Sequence, residues 1–233
     1  MDCFYYKNLE PTTKGIILHD AESKHLRALR CDIGVRILIT NGSGLTAECK
    51  IISIDKQSHE LHPEKFYNNL GEPAGRIALG LGIMDSSERQ EFAFEKAIEF
   101  GLTDYYPLIC DFSQRKNVNI IRLEAKAIAA MKQCCRSRLP VIHPPLTIEE
   151  LIRLQEFFRI VVADAEGSQF YPKSNTDSIL ALVGPEGGFS SNELKFLKSK
   201  KNIEFCKLAP RRLRTETAAV GIMSVITMDT STD

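Results

Sequence analysis

From residue 76 onwards, short apolar segments alternate with segments of helical periodicity, and this alternation constrains the fold more than any other feature of the sequence. Apolar strands that alternate with helices are typical of a parallel sheet covered by helices on both faces. Ser190, followed three residues later by Glu193, predicts a capping box at one helix start. We predict an α/β domain with strands at 76–83, 104–110, 158–163, 179–183 and 203–208, and with helices at 87–100, 119–138, 147–156, 190–201 and 215–228.

The preceding part of the chain is rich in strand signals instead. A β-branched segment and an alternating segment flank an Asn-Gly turn, which predicts a β-hairpin over 35–54. One short helix is expected at 22–30. The turn-rich segment 68–75 separates this region from the strand–helix alternation. We therefore expect two domains, a small β-barrel at 1–72 and the α/β domain at 73–233.

Charge is balanced over the whole chain but not locally. There are 30 Lys+Arg and 30 Asp+Glu residues, which excludes a uniformly basic nucleic-acid coat. Segment 115–140 nevertheless has seven basic residues and one acid, and segment 207–214 has four basic residues and no acid. Two basic clusters indicate a candidate polyanion binder, although a solvated helix face explains the first cluster equally well.

Several function classes are not supported by the sequence. No apolar run approaches the ~18 residues that span a membrane, and the N-terminus has no signal pattern. The seven cysteines have no CxxC spacing, so we expect reduced thiols in a cytoplasmic protein. The five histidines form no metal-binding pattern, and no GxSxG motif is present. We therefore expect no membrane, no metal and no hydrolase chemistry.

The first candidate site is the glycine-rich turn Val183–Phe189, which lies between a predicted strand and a predicted helix. Ligands of α/β sheets usually bind outside the carboxyl ends of strands. The turn is neither a P-loop nor a dinucleotide fingerprint. Glu186 inside it argues against a phosphate, so a cationic or neutral ligand fits better. A purely structural tight turn is the alternative.

The second candidate site is the segment Leu208–Ala219, which also links a strand end to a helix start. Thr215 or Thr217 can cap that helix, and an acid such as Glu216 is favoured in its first turn. Three arginines in the loop suit phosphate contacts. A surface basic turn is the alternative.

A third segment, Gln133–Pro140, carries two arginines at the end of a predicted helix. The helix dipole also favours arginine at this place, so a structural role explains them as well as a binding role does.

In order along the chain, these segments resemble the 16S ribosomal RNA uracil-N3 methyltransferases, the RsmE family of the SPOUT superfamily. The pair GPEGGFS at 184–190 and LAPRRLRTETAA at 208–219 carries most of the resemblance, and the segments 25–30, 95–103 and 133–140 agree more weakly. Segment 84–89 departs from the family, which commonly has a Gly and a Lys there.

The resemblance implies a fold and a cofactor. The expected fold is a PUA-like β-barrel followed by a SPOUT α/β-knot domain, whose C-terminal chain forms a trefoil knot, in a homodimer. The expected cofactor is S-adenosylmethionine. The residues that match the family's cofactor loops are Ala163, Val183, Gly184, Pro185, Glu186, Gly187, Gly188, Leu208, Leu213, Arg214 and Thr217.

The resemblance also implies a reaction, the methylation of uracil N3 at uridine 1498 of 16S rRNA in the small ribosomal subunit. We expect Arg214 to stabilise the uracil anion, and Glu216 to accept a proton or to serve the helix N-terminus. Two alternatives stay open: another SPOUT methyltransferase that acts on tRNA or a ribose hydroxyl, and a non-catalytic RNA-binding or ribosome-assembly protein. The expected RNA contacts are His25, Arg27, Arg30, Arg136, Arg138, Arg211 and Arg212.

Overall fold

A computed structural model describes residues 1–154, 157, 159–169 and 178–230 of the chain. The chain divides into two compact units, Met1–Glu72 with Ile128–Leu139 and Pro73–Ala127 with Pro140–Asp233. The expected boundary between residues 72 and 73 is also a boundary between units. Ile128–Leu139 differ from the sequence-based division, because they group with the first unit rather than the second.

The first unit contains a five-stranded mixed sheet and one helix. The strands lie in the order β1-β3-β4-β5-β2, and all neighbours are antiparallel except β1 and β3. Phe4, Leu26 and Ile39 are fully buried in its apolar core. The predicted hairpin and helix are confirmed. The elements are β1 (Cys3–Tyr5), β2 (Ile16–Leu18), α1 (Asp20–Ala28), β3 (Arg36–Thr40), β4 (Leu45–Ile54) and β5 (His59–Asn68).

The sequence did not reveal strand β5, because its pattern is charged and interrupted by a proline. Its buried residues His59, Leu61 and Pro63 alternate with exposed ones, as a half-buried strand requires. Pro63 pairs with Cys49 next to a register shift, one of the few places in a sheet where proline is tolerated.

Glu72 explains why segment 128–139 packs with the first unit. Its carboxylate accepts hydrogen bonds from the backbone amides of Ser137 and Arg138, both at 2.8 Å, and from Nη2 of Arg136 at 2.7 Å. Arg136 is only 3% exposed. The prediction that Arg136 contacts RNA is therefore wrong, since a buried guanidinium paired with a carboxylate is not available to a phosphate.

The second unit contains a six-stranded parallel sheet in the order β11-β9-β10-β6-β7-β8, which confirms the predicted α/β class. The predicted capping box is also confirmed, with Ser190 as the N-cap residue. The strands are β6 (Arg76–Gly82), β7 (Asp104–Leu108), β8 (Val141–Ile142), β9 (Arg159–Ser168), β10 (Ser178–Val183) and β11 (Ile203–Cys206). The helices are α2 (Ser87–Glu99), α3 (Ile120–Gln133), α4 (Ile148–Leu154), α5 (Ser191–Lys198) and α6 (Thr215–Thr230).

Strand β9 differs most from the sequence-based expectation. It was predicted to end at residue 163 and to be followed by a loop, and its first residue, 158, lies outside the described residues. The structure continues the strand to Ser168, which pairs with Cys206 after a register shift in β11. Residues 163–167 are therefore an irregular strand segment beside β11 rather than a free loop.

No helix within the described ranges has both the length and the apolar character that a membrane span needs.

The amino-terminal edge of the parallel sheet holds a cluster of charges around Asp104. Its carboxylate accepts hydrogen bonds from Arg76 at 2.8 and 2.9 Å, from the hydroxyl of Thr103 at 2.8 Å and contacts Nε2 of His143 at 3.0 Å. Burial alone would raise the pKa of Asp104, but these hydrogen bonds outweigh it and lower the pKa to about 2. The ionised form of Asp104 therefore stabilises the fold.

We predict that Asp104→Asn lowers the free energy of unfolding at pH 7 by about 2 kcal/mol, because about 1.4 kcal/mol corresponds to each unit of pKa difference. The folded-state pKa lies below the ordinary value of 3.8, so the contribution is present above pH 4 and is lost as the pH falls towards 2. Urea unfolding at pH 7 and pH 2.5 measures it. An equal difference between the two proteins at both pH values would contradict the prediction.

Candidate functional site

A cavity of about 520 Å³ opens in the second unit, beyond the carboxyl ends of β10 and β11 and beside the irregular half of β9. This is the usual place for a ligand in an α/β sheet. The order β11-β9-β10 brings together three chain segments that are far apart in the sequence. Both sequence-predicted turns border the same cavity as a result.

Most residues predicted to bind a cofactor line this cavity. They are Ala163, Val183, Gly184, Pro185, Glu186, Gly187, Gly188, Leu208, Leu213 and Arg214. Thr217 does not line it and is exposed on the first turn of α6. The sequence analysis did not single out the lining residue Arg89.

The glycine-rich turn is held close to the end of β6. A Cβ atom on Gly82 would lie 2.3 Å from the backbone nitrogen of Pro185, and a Cβ atom on Gly184 would lie 2.8 Å from the carbonyl carbon of Gly188. The amide of Gly188 donates a hydrogen bond to the carbonyl of Pro185 at 2.8 Å, which closes the turn. Only glycine permits these backbone approaches, so both glycines set the shape of this cavity wall.

Helix α5 anchors the other end of this turn. The side chain of Ser190 accepts a hydrogen bond from the amide of Glu193, and the Glu193 carboxylate accepts one from the amide of Ser190. The Glu193 carboxylate also accepts a hydrogen bond from the amide of Asp111 at 3.0 Å. The turn is therefore fixed at both of its ends.

An arginine from a third element joins the two sequence-predicted turns. Arg89 is in the first turn of α2, and its Nη1 lies 3.2 Å from a carboxylate oxygen of Glu186. Its Nη2 lies 2.5 Å from a carboxylate oxygen of Glu216. The hydrogen bond from Arg89 lowers the pKa of Glu216. Glu216 does not line the cavity, which favours its role at the helix N-terminus over proton acceptance.

The charge of the cavity wall differs from the expectation based on Glu186 alone. Four arginines and two acids, Asp164 and Glu186, line the cavity. Glu186 is paired with Arg89, and its backbone carbonyl accepts a hydrogen bond from Arg212 at 3.4 Å. Glu186 is therefore already paired with a cation of the chain, and Asp164 is the lining acid with no ion pair among the described residues.

The remaining RNA-contact candidates are exposed. His25, Arg27, Arg30 and Arg138 belong to the first unit, and Arg211 and Arg212 border the cavity of the second. Arg27 donates to the carbonyl of Lys56, and Nε of Arg138 donates to Asn69 at 2.9 Å. Within the described residues, no three His, Cys, Asp or Glu side chains converge as a metal site would require.

Fold and site define a two-part protein, a mixed sheet unit followed by an α/β unit that carries a ligand cavity. Comparison with known families identifies both parts. Residues 71–227 match the RNA methyltransferase domain family, and residues 18–63 match the RNA methyltransferase PUA domain family. The first match covers well over half of the chain.

Individual relatives agree along almost the whole length. The ribosomal RNA small subunit methyltransferase E of Buchnera aphidicola (subsp. Acyrthosiphon pisum) is 30% identical over 88% of this chain and 85% of its own. That of Aquifex aeolicus is 29% identical over 91% and 93%. The chain therefore belongs to the RNA methyltransferase family, and within it to the ribosomal RNA small subunit methyltransferase E proteins.

Solved structures have the same fold. The ribosomal RNA small subunit methyltransferase E of Neisseria gonorrhoeae, bound to S-adenosyl methionine, gives a TM-score of 0.83 at 22% identity over 97% of this chain and 96% of its own. A probable rRNA-methyltransferase of Porphyromonas gingivalis gives a TM-score of 0.81 at 27% identity, over 99% and 98%.

We predict that Gly82→Ala lowers the free energy of unfolding by about 1–3 kcal/mol, because the added methyl group meets the backbone of Pro185, which cannot move without disturbing the turn. Gly221→Ala is the matched control. Its methyl group would lie 3.7 Å from Leu208, an ordinary contact, in a helix that favours alanine. Denaturant unfolding compares both variants with the unmodified chain, and equal stabilities of the two variants would contradict the prediction.

Proposed function

We propose that this chain transfers a methyl group from S-adenosylmethionine to N3 of a uracil in 16S rRNA within the small ribosomal subunit. The observation that carries the proposal is the cavity between the two turns, because all but one of the residues that match the family's cofactor loops border one space. The names of its relatives and their nearly complete overlap with this chain support the substrate class.

The residues around the cavity fit this cofactor. A volume of about 520 Å³ lies within the range of ligand pockets, about 300–1,000 Å³. The turn Val183–Gly188 and the segment Leu208–Leu213 both line the cavity, and the three glycines of the turn have no side chain that could keep a ligand from the backbone. The carboxylate of Asp164 suits the cationic groups of the molecule. When bound, S-adenosylmethionine supplies an activated methyl group.

Arg214 is the residue that we assign to the uracil. Its side chain is exposed at the cavity wall, and a guanidinium can donate hydrogen bonds to a uracil oxygen. Negative charge develops on the base as N3 loses its proton to solvent water, and a fixed donor stabilises that charge. Glu216 is already paired with Arg89, so we assign it to the start of α6 rather than to the proton.

The exposed cations supply a surface for RNA. His25, Arg27, Arg30 and Arg138 would contact phosphates from the first unit, and Arg211 and Arg212 would do so beside the cavity. A uracil that is stacked in folded RNA must be turned out to reach the cavity, which costs a few kcal/mol unless the base is already unpaired.

We further propose a C-terminal trefoil knot. Strand β11 lies beyond β9 at one side of the sheet, whereas the following helix α6 packs on α2, β6 and β10. The chain must therefore cross back over the sheet from β11 to the side of β10 and β6. This crossing supports a knotted path of the kind that the resemblance implies.

A homodimer that works in the cytoplasm completes the proposal. Phe92 on α2 is 48% exposed and Met228 on α6 is 66% exposed, and these two helices pack together. Large exposed apolar side chains on packed helices support an interface with a second copy.

A ribosomal substrate supports a location in the cytoplasm, as do the seven free cysteines.

The direct test of the proposed reaction uses small ribosomal subunits from cells that lack this gene. We expect that the protein transfers label from radioactive S-adenosylmethionine to 3-methyluridine, identified after digestion of the rRNA. Label in another nucleoside would point to a different RNA methyltransferase reaction. Absence of label together with absence of cofactor binding would favour a non-catalytic RNA-binding protein.

We predict that Arg214→Ala lowers methylation at least about 100-fold, because loss of one charge-stabilising donor typically costs that much. Cofactor binding should remain near that of the unmodified chain, since we assign the Arg214 side chain to the uracil rather than to the cofactor. Lys201→Ala, which removes an exposed cation away from the cavity, is the control and should retain full activity. Unchanged methylation by Arg214→Ala would exclude the assigned role.

A further inference from the structure

Arg89 lines the cavity but has no role in the proposed reaction. It lies within segment 84–89, where the sequence departs from the family pattern. Ser86 caps α2 by accepting a hydrogen bond from the backbone amide of Arg89 at 3.3 Å, so the helix start fixes the position from which the side chain extends. The Arg89 side chain is 30% exposed, yet its Nε atom is buried and has no hydrogen-bond partner in the described part of the chain.

The contacts of Arg89 join two segments that share no ion pair of their own among the described residues. One terminal nitrogen reaches Glu186 in the glycine-rich turn, and the other reaches Glu216 at the start of α6. The Glu216 side chain is only 13% exposed, so water screens this contact less than it screens a surface pair. A planar guanidinium is suited to holding two carboxylates at a fixed separation, and a lysine ammonium is not.

We propose that Arg89 is a positioning residue that links the glycine-rich turn to the start of α6 and thereby fixes the relative position of the two main walls of the cofactor cavity. The inference rests on the proposed function, since its purpose is to keep the cavity ready for S-adenosylmethionine. Arg89 acts through Glu186 and Glu216. No contact between Arg89 and the cofactor is needed.

The arrangement has a consequence for Glu216. A carboxylate engaged by Arg89 cannot take the proton of the uracil without losing that contact. Neutralising Glu216 should therefore harm the positioning of the turn rather than the chemical step. Removing Arg89 alone should weaken cofactor binding more than removing Arg89 together with Glu216, because the single change leaves the Glu216 carboxylate without its cation.

The experiment compares Arg89→Gln and Arg89→Lys with Lys96→Gln. Lys96 is a matched control, because it lies on the same helix and also pairs with two carboxylates, those of Glu95 and Glu99, but does not line the cavity. Amide hydrogen exchange of the free protein reports on residues 183–188 and 209–217. Calorimetry with S-adenosylmethionine measures the dissociation constant, and single-turnover methylation measures the chemical step.

We expect Arg89→Gln to speed exchange in both segments and to weaken cofactor binding about tenfold, which corresponds to about 1.4 kcal/mol. Arg89→Lys should recover part of the affinity, and Lys96→Gln should stay within about twofold of the unmodified chain. The pair Arg89→Gln with Glu216→Gln should bind more tightly than Arg89→Gln alone. At saturating cofactor, single-turnover methylation by Arg89→Gln should be reduced far less than its affinity.

Unchanged exchange in both segments of Arg89→Gln would overturn the inference, whatever the affinity. Faster exchange with unchanged affinity for S-adenosylmethionine would also overturn it, because the contacts of Arg89 would then not affect the cofactor cavity. If the unmodified chain does not bind S-adenosylmethionine at all, the proposed function fails and the role for the cofactor is overturned with it. Binding by the unmodified chain that is insensitive to Arg89 would overturn the role of Arg89 alone.

Discussion

The cavity depends on one constraint, the lateral order of the parallel strands β11, β9 and β10. Parallel neighbours end at the same edge of a sheet, so the segments that follow them must leave the sheet side by side. Gly82 then lets the backbone of one of these segments lie against the end of β6, and Gly184 lets the same segment turn back on itself. All the residues that we assign to the cofactor lie at this edge of the sheet.

Charge is used differently at the two edges of this sheet. At the amino-terminal edge, Asp104 is surrounded by hydrogen-bond donors that stabilise its ionised form, and the cluster contributes to folding. At the carboxyl-terminal edge, Arg89 connects two acids from different turns, beside a cavity wall that carries further arginines. Parallel α/β folds bind their ligands at the carboxyl-terminal edge. Charged residues at the amino-terminal edge can therefore contribute to stability alone.

What could be predicted from the sequence depended on how local the signal was. The hairpin, the parallel strands and the capping box at Ser190 each follow from a few neighbouring residues, and the structure confirms them. Arg89 was missed because its partners lie 97 and 127 residues away along the chain. Arg136 was assigned wrongly for the same reason, because its burial depends on Glu72, 64 residues earlier. No pattern in the sequence reports such distant pairs.

Strand β9 shows a second limit of sequence reasoning. The apolar residues of its first half are visible in the sequence, but its second half, which includes Asp164 and Gly167, has no strand pattern. It becomes a strand because β11 pairs with it after a register shift. Tertiary pairing therefore decides the conformation of a segment that the motifs alone present as a loop.

The proposed function and the role of Arg89 both require that the cavity between the two turns holds the cofactor. The most direct measurement is a crystal structure of the chain grown with S-adenosylhomocysteine, the demethylated product. We expect electron density for the nucleoside between Val183–Gly188 and Leu208–Leu213, with Arg89 in contact with both Glu186 and Glu216. Density at any other place on the chain, with this cavity filled only by water, would contradict it.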